Sequence, residues 1–107
     1  PIGCYCQKPN HALSFRVMDH KKAAKVLRAL GNPRRMQIIL HLRKNRNLNV
    51  SAIAEKLDLS FRSTSRHLHH LENAGLVDKK QLSTSVYYFL STEIPPEVIG
   101  LFARISL

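Results

Sequence analysis

Apolar side chains return along this chain at intervals of three and four residues, broken at a few polar junctions. After Asp19, a helix-capping residue type, Ala23, Val26, Leu27 and Leu30 fall at i, i+3, i+4 and i+7. That spacing predicts one apolar face of a helix that stops at Gly31. Asn32 followed by Pro33 has the form of an N-cap and a first helical residue. It opens a second helix in which Met36, Ile39 and Leu40 share a face, flanked by Ile38 and Leu42, and Asn45 to Asn49 reads as a polar connector. Asn49 then caps a short third helix over about Val50 to Leu57, with Ile53, Ala54 and Leu57 inward. Asp58-Leu59-Ser60 breaks the pattern, and Ser60 caps a fourth helix that places Phe61, Thr64, Leu68 and Leu71 on its inner side until Gly75 ends it.

Beyond Gly75 the pattern changes. Leu76 to Leu82 and Ser85 to Leu90 are rich in Val, Tyr, Phe and Leu around Ser83-Thr84-Ser85, which predicts a β-hairpin whose turn lacks the usual Gly or Asn. Glu93-Ile94-Pro95-Pro96 starts a last helix with an apolar stripe of Ile94, Val98, Leu101, Phe102 and Ile105 running to the chain end. That stripe suits either the monomer's own core or burial against a symmetry mate, and in a domain this small the second is favoured. Residues 1 to 16 have no clear period; Leu13, Phe15 and Val17 alternate as in a strand but equally suit an irregular arm. The expected division is an N-terminal arm over 1–18 and one domain over 19–107.

The predicted order of helix, helix, short helix, turn, helix, hairpin, helix is that of a winged helix-turn-helix: mainly α with a β-hairpin wing. In such a unit the second helix of the motif enters a DNA major groove and its outward side chains decide what it reads. Here the outward set is Arg62, Ser63, Ser65, Arg66, His69 and, at the margin, His67, with no acid before Glu72. Arg takes guanine bidentately, and Ser and His are adaptable donors or acceptors.

Charge sharpens this picture. The 107 residues carry 17 Lys and Arg against 7 Asp and Glu, a formal +10 that makes a polyanion the first partner to consider. Nine of the cations, Lys21, Lys22, Lys25, Arg28, Arg34, Arg35, Arg43, Lys44 and Arg46, fall in one window that holds no acid. A solvated helical surface accounts for some such windows, but two basic helices without compensating Glu give up the i,i+4 ion pairs of a merely soluble helix. That window, with Lys79 and Lys80 on the wing, is expected to hold phosphates. Tyr87 and Tyr88 read as core or wing-base packing in preference to ligand contacts.

Four stretches carry a specific resemblance: Leu27 to Arg35, Leu57 to Ser60, Ser65 to Val77 and Val86 to Leu90. Together, in this order and spacing from about Asp19 to Leu107, they resemble the ArsR-type (ArsR/SmtB) family of bacterial and archaeal transcriptional regulators. The resemblance implies a homodimer through the first and last helices, a recognition helix from Ser60 to Asn73, a wing from Leu76 to Leu90, and repression by binding a pseudo-palindromic operator in double-stranded DNA. It also implies that Ser63, Ser65 and His67 stand near DNA and that Arg34 or Arg35 stands near its backbone. The chain departs from the family at several points. A metal-sensing Cys-x-Cys pair of the short helix is replaced by Ala54 and Lys56, and the last helix offers Glu93 and Glu97 without the His of the family's zinc site. A Pro early in the recognition helix is replaced by Arg62, and a usually apolar position is His70.

Cys4 and Cys6 form the one thiol pair, with His11 nearby. Two readings stand: a soft-metal, metalloid or redox site on the arm, completed by His20, His41 or a partner subunit, or an incidental pair. A bridge between residues two apart would close a small strained ring, and two cysteines cannot staple a fold of this size. No cofactor is required for the fold. His67 and His70 stand at i,i+3, a spacing that suits zinc but more often marks DNA-contacting or partly buried histidines. An enzyme is not expected: the acids are scattered, the neighbouring Ser and His residues share an outward helix face, and no Gly loop cradles phosphate. Neither a signal peptide nor a membrane span is seen, which gives a cytoplasmic expectation. The competing function is a winged helix used for protein contacts or as an architectural DNA binder without a ligand.

Overall fold

The computed structural model describes residues 19–107. Cys4, Cys6, His11 and the alternating Leu13, Phe15 and Val17 lie outside the described residues, as does the expected arm over 1–18.

Local capping chemistry sets the helix starts. In α1 (His20–Leu30) the Asp19 carboxylate accepts from the Lys22 N–H at 2.7 Å. In α2 (Pro33–Lys44) the Asn32 amide oxygen accepts from the Arg34 and Arg35 N–H groups at 2.8 and 3.2 Å, while Pro33 occupies the first turn, where no donor is needed. Next, β1 (Leu48–Asn49) leads into α3 (Val50–Leu57), whose Ala52 N–H donates to the Asn49 side chain at 2.8 Å. Asp58 ends α3 in a left-handed conformation, φ 56°, a region that short polar residues tolerate. Ser60 then caps α4 (Phe61–Asn73): its Oγ accepts from the Ser63 N–H at 3.0 Å, and its carbonyl accepts from the buried Thr64 hydroxyl at 2.9 Å. Gly75 closes α4 at φ +79°, which lets the Leu76 N–H reach back to the Leu71 carbonyl at 3.0 Å.

The wing is β2 (Val77–Leu82) paired antiparallel with β3 (Ser85–Leu90). Leu82 opposes Ser85, so the turn is the pair Ser83-Thr84, and Ser83 takes φ 59° in place of the usual Gly or Asn. The sheet has three strands in the order β1-β3-β2, because Leu48 and Asn49 pair antiparallel with Tyr88 and Tyr87. The polar connector expected over Asn45 to Asn49 therefore contains a strand. Two residues are too few to show a period, and their backbone groups find partners on a strand that arrives far later in the chain.

One core joins these elements. Its fully buried large side chains include Ile38, Ile39, Ile53, Leu68, Leu71, Leu76, Val77 and Phe102. The second helix runs through the middle: it packs on α1, α3, α4 and β3, which is why Ile38, Ile39, Leu40 and Leu42 are all buried and not only one narrow stripe. Each such side chain contributes about 1.5–3 kcal/mol on leaving water. The resulting architecture is a winged helix-turn-helix, mainly helical with a small antiparallel sheet.

Three expectations about faces need correction. Leu27, placed by period on the inner side of α1, is 63% exposed, and the buried positions are Val26, Ala29 and Leu30. Phe61 is 59% exposed, because the packed side of α4 begins one turn later, at Thr64. The last helix, α5 (Pro96–Phe102), spans seven residues and does not run to the chain end. Ile94 is buried ahead of it, Ile105 packs half-buried beyond it, and the stripe divides: Phe102 fills the core while Leu101 stands 47% exposed.

Candidate nucleic-acid interface

The recognition helix presents its first turns through the Ser60 cap. No acidic residue lies in that first turn, so the partial positive charge of the helix N-terminus is unopposed. Arg62, Arg66 and His69 are exposed, with Arg62 and Arg66 one turn apart on the same side. Ser63 and Ser65 are half-buried at the flanks. The side chain of His67 turns further inward: its Nδ1 is enclosed and has no hydrogen-bond partner among the described residues. Burial, and then the nearby cations Arg35, His70, Arg34 and Arg66, hold the His67 imidazole below its ordinary pKa of 6.5.

The wing contributes Lys79 and Lys80, both exposed, but they are not equivalent. Adjacent strand residues point to opposite faces, and Lys79 Nζ lies 3.7 Å from the Glu72 carboxylate near the end of α4. Lys80 has no such ion pair among the described residues. Between the wing and the start of α4 lies a cleft of about 570 Å³, with Val50, Phe61, Val86 and Tyr88 as apolar lining and Lys79 and Gln81 at its side.

Arg34 and Arg35 stand at the start of α2, where their guanidinium groups meet carbonyls at the ends of other helices. Arg35 Nε donates to the Ala29 carbonyl at 2.7 Å and its Nη2 to the Arg28 carbonyl at 3.5 Å, at the end of α1. The exposed Arg34 donates to the Leu57 carbonyl, at the end of α3, over 3.3 Å. Arg35 is thereby bound into the helix junction, a role that helix-face reasoning missed; its one sequence signal is a cation following the Gly-Asn-Pro break.

Part of the basic window lies away from the N-terminus of α4. Lys21, Lys22 and Lys25 share a cleft with Glu72, Asn73 and Gly75, beside the C-terminal end of α4. At 1.5 Å per residue that is about 18 Å from Phe61 along the helix. His41, at the far end of α2, is half-buried; burial, with Lys56 and Lys44 nearby, lowers its pKa from the ordinary 6.5. Among the described residues no three of His, Cys, Asp and Glu converge as a metal site, and Ala54 and Lys56 supply no thiolate on α3. Cys4 and Cys6 are outside the described residues. No described helix is long and apolar enough to cross a membrane.

Comparison with known proteins agrees with this arrangement. Residues 32–79 match the sequence profile described as bacterial regulatory protein, arsR family. The chain is 36% identical over 84 residues to the transcriptional activator HlyU of Vibrio cholerae, a match covering 78% of this chain and 77% of that protein. A solved structure of HlyU from Vibrio cholerae aligns with a TM-score of 0.69 at 34% identity, over 81% of this chain and 92% of that one. A homodimeric winged helix-turn-helix DNA-binding domain from Mycobacterium bovis, determined in solution, aligns with a TM-score of 0.68 at 32% identity, covering 83% of each chain.

Proposed function

Since the chain belongs to the arsR family of bacterial regulatory proteins and is a DNA-binding transcriptional regulator, we propose that it acts as a homodimeric repressor of a pseudo-palindromic operator. The observation that carries the reading is the outward face of α4: Arg62, Arg66 and His69 exposed together, on a capped helix start with no opposing acid. Two such helices related by a two-fold axis would enter successive major grooves about one helical turn apart.

Dimerisation is supported by side chains that the single chain leaves uncovered. Leu27 on α1 and Ile99 and Leu101 on α5 are 63%, 39% and 47% exposed, on the two helices through which a symmetric pair is expected to form. The Mycobacterium bovis relative is described as homodimeric. HlyU is named an activator; repression is the simpler outcome for this chain, because it requires only that the bound dimer cover a promoter.

Selection of binding sites from random duplexes, followed by in vitro transcription from a promoter carrying the selected site, tests the reading. The expected results are an inverted repeat and reduced transcript. Salt-dependent binding with no preferred sequence would instead identify an architectural binder. In sedimentation, Leu27→Glu combined with Leu101→Glu should convert a dimer to a monomer; a wild-type monomer at micromolar concentration would refute the dimer.

A further inference from the structure

Among the described residues Phe61 is the large aromatic side chain most at odds with its surroundings. It is the first residue of the recognition helix, 59% exposed, and the packed side of that helix starts a full turn later at Thr64. Arg62, next to it in the chain, is exposed, and Ser65, one turn on, is half-buried; both suit polar base edges or phosphates. A phenyl ring has no donor or acceptor and cannot read those edges. The major groove offers one apolar feature, the C5-methyl group of thymine, and N-terminal residues of a recognition helix are the ones that reach base edges.

We propose that Phe61 is a specificity-determining residue that packs on thymine methyl groups in the major groove, selecting thymine beside the bases that Arg62 and Arg66 contact. The assignment rests on the DNA-reading function above and adds to it the identity of a base and the side chain that recognises it. In the free protein the ring lies 59% exposed at the cleft lined by Val50, Val86 and Tyr88; bound DNA covers the exposed part with a methyl group, while the adjacent arginines neutralise phosphates or hold guanine. Arg62 makes this geometry accessible, since a cation beside the ring draws the start of the helix toward the polyanion.

The test uses the full chain and its selected site. Each thymine is replaced in turn by deoxyuridine, which removes the C5-methyl and leaves base pairing unchanged, and affinity is measured for wild type, Phe61→Ala and Phe61→Gln. Wild type should lose about fourfold per contacted methyl group. Both variants should bind the thymine and deoxyuridine sites equally, with unchanged preference at positions where uracil had no effect. An equal uracil penalty in wild type and variants overturns the proposal, as does a selected site without thymine near the helix start. If Phe61→Ala unfolds through loss of packing against the wing cleft, Phe61→Gln, which retains a long side chain, supplies the comparison. A wild-type chain that selects no sequence defeats the DNA-reading premise itself, a result distinct from a selected site whose methyl groups do not matter.

Discussion

His67 sits where two demands on the recognition helix meet. Its Nδ1 is enclosed without a hydrogen-bond partner among the described residues, and burial together with Arg35, His70, Arg34 and Arg66 disfavours the imidazolium. His41 is shifted in the same direction by burial and by Lys56 and Lys44. Below pH about 6.5 the unfolded chain therefore binds protons that the folded chain resists, and stability falls with pH. The sign is that of a lowered histidine: the contribution is complete above about pH 6.5 and is lost as pH drops toward the folded values. Urea midpoints should be flat from pH 8 to 7 and decline toward pH 5, with a shallower decline in His67→Gln. A midpoint that rises on acidification would contradict the burial of these rings. Glycine at 75 has a different residue-level origin: a Cβ there would meet nothing within 4 Å, so the φ of +79°, not space, selects glycine.

At the level of elements, the junction between helices is held by side chains that look surface-exposed in the sequence. Arg35 ties α2 to the last carbonyls of α1 through bonds at 2.7 and 3.5 Å, while Arg34 makes a single bond of 3.3 Å to the end of α3. Arg35→Ala should cost about 1–2 kcal/mol in denaturant unfolding, since it leaves helix-end carbonyls without a charged donor. Arg34→Ala should stay within about 0.5 kcal/mol, as for an exposed site. Equal costs would show that Arg35 is not the tie between the helices. Beyond the packing of α2 on β3, the wing is tied to the rest by the pairing of β1 with β3 and by the ion pair of Lys79 with Glu72 of α4. The hairpin was readable from its run of Val, Tyr, Phe and Leu, whereas β1 was not, because nothing local in Leu48-Asn49 distinguishes it from a loop.

For the whole molecule, the formal charge of +10 favours a polyanionic partner, and the dependence of DNA affinity on salt would count the phosphates engaged. Lys80, without an ion pair among the described residues, and Arg66, on the outward face of α4, should separate the two parts of recognition. Lys80→Ala should weaken specific and random duplexes alike and lower the slope of log affinity against log salt by about 0.9. Arg66→Ala should chiefly narrow the gap between specific and random DNA, by about 1–3 kcal/mol. Equal effects on both duplexes from both variants would remove the distinction between holding and reading. The lysines of α1 beside the far end of α4 should affect the slope less than Lys80, because they lie about 18 Å along the helix from its N-terminus.

Helix starts, the order of the helices and hairpin, and the exposure of Arg62, Arg66 and His69 on α4 were determined by sequence alone, for a physical reason: caps such as Asp19, Asn32, Asn49 and Ser60 act on N–H groups two or three residues away, and period assigns residues to a common face. Period does not say how far the covering layer extends. Only the tertiary structure decided that Leu27 and Phe61 lie beyond it, that α5 stops at Phe102, and that Arg35 turns to α1 while Arg62 and Arg66 remain in solvent. Those outcomes depend on contacts between segments distant in sequence, where burial, carbonyl partners and strand pairing are set by what arrives from elsewhere in the chain.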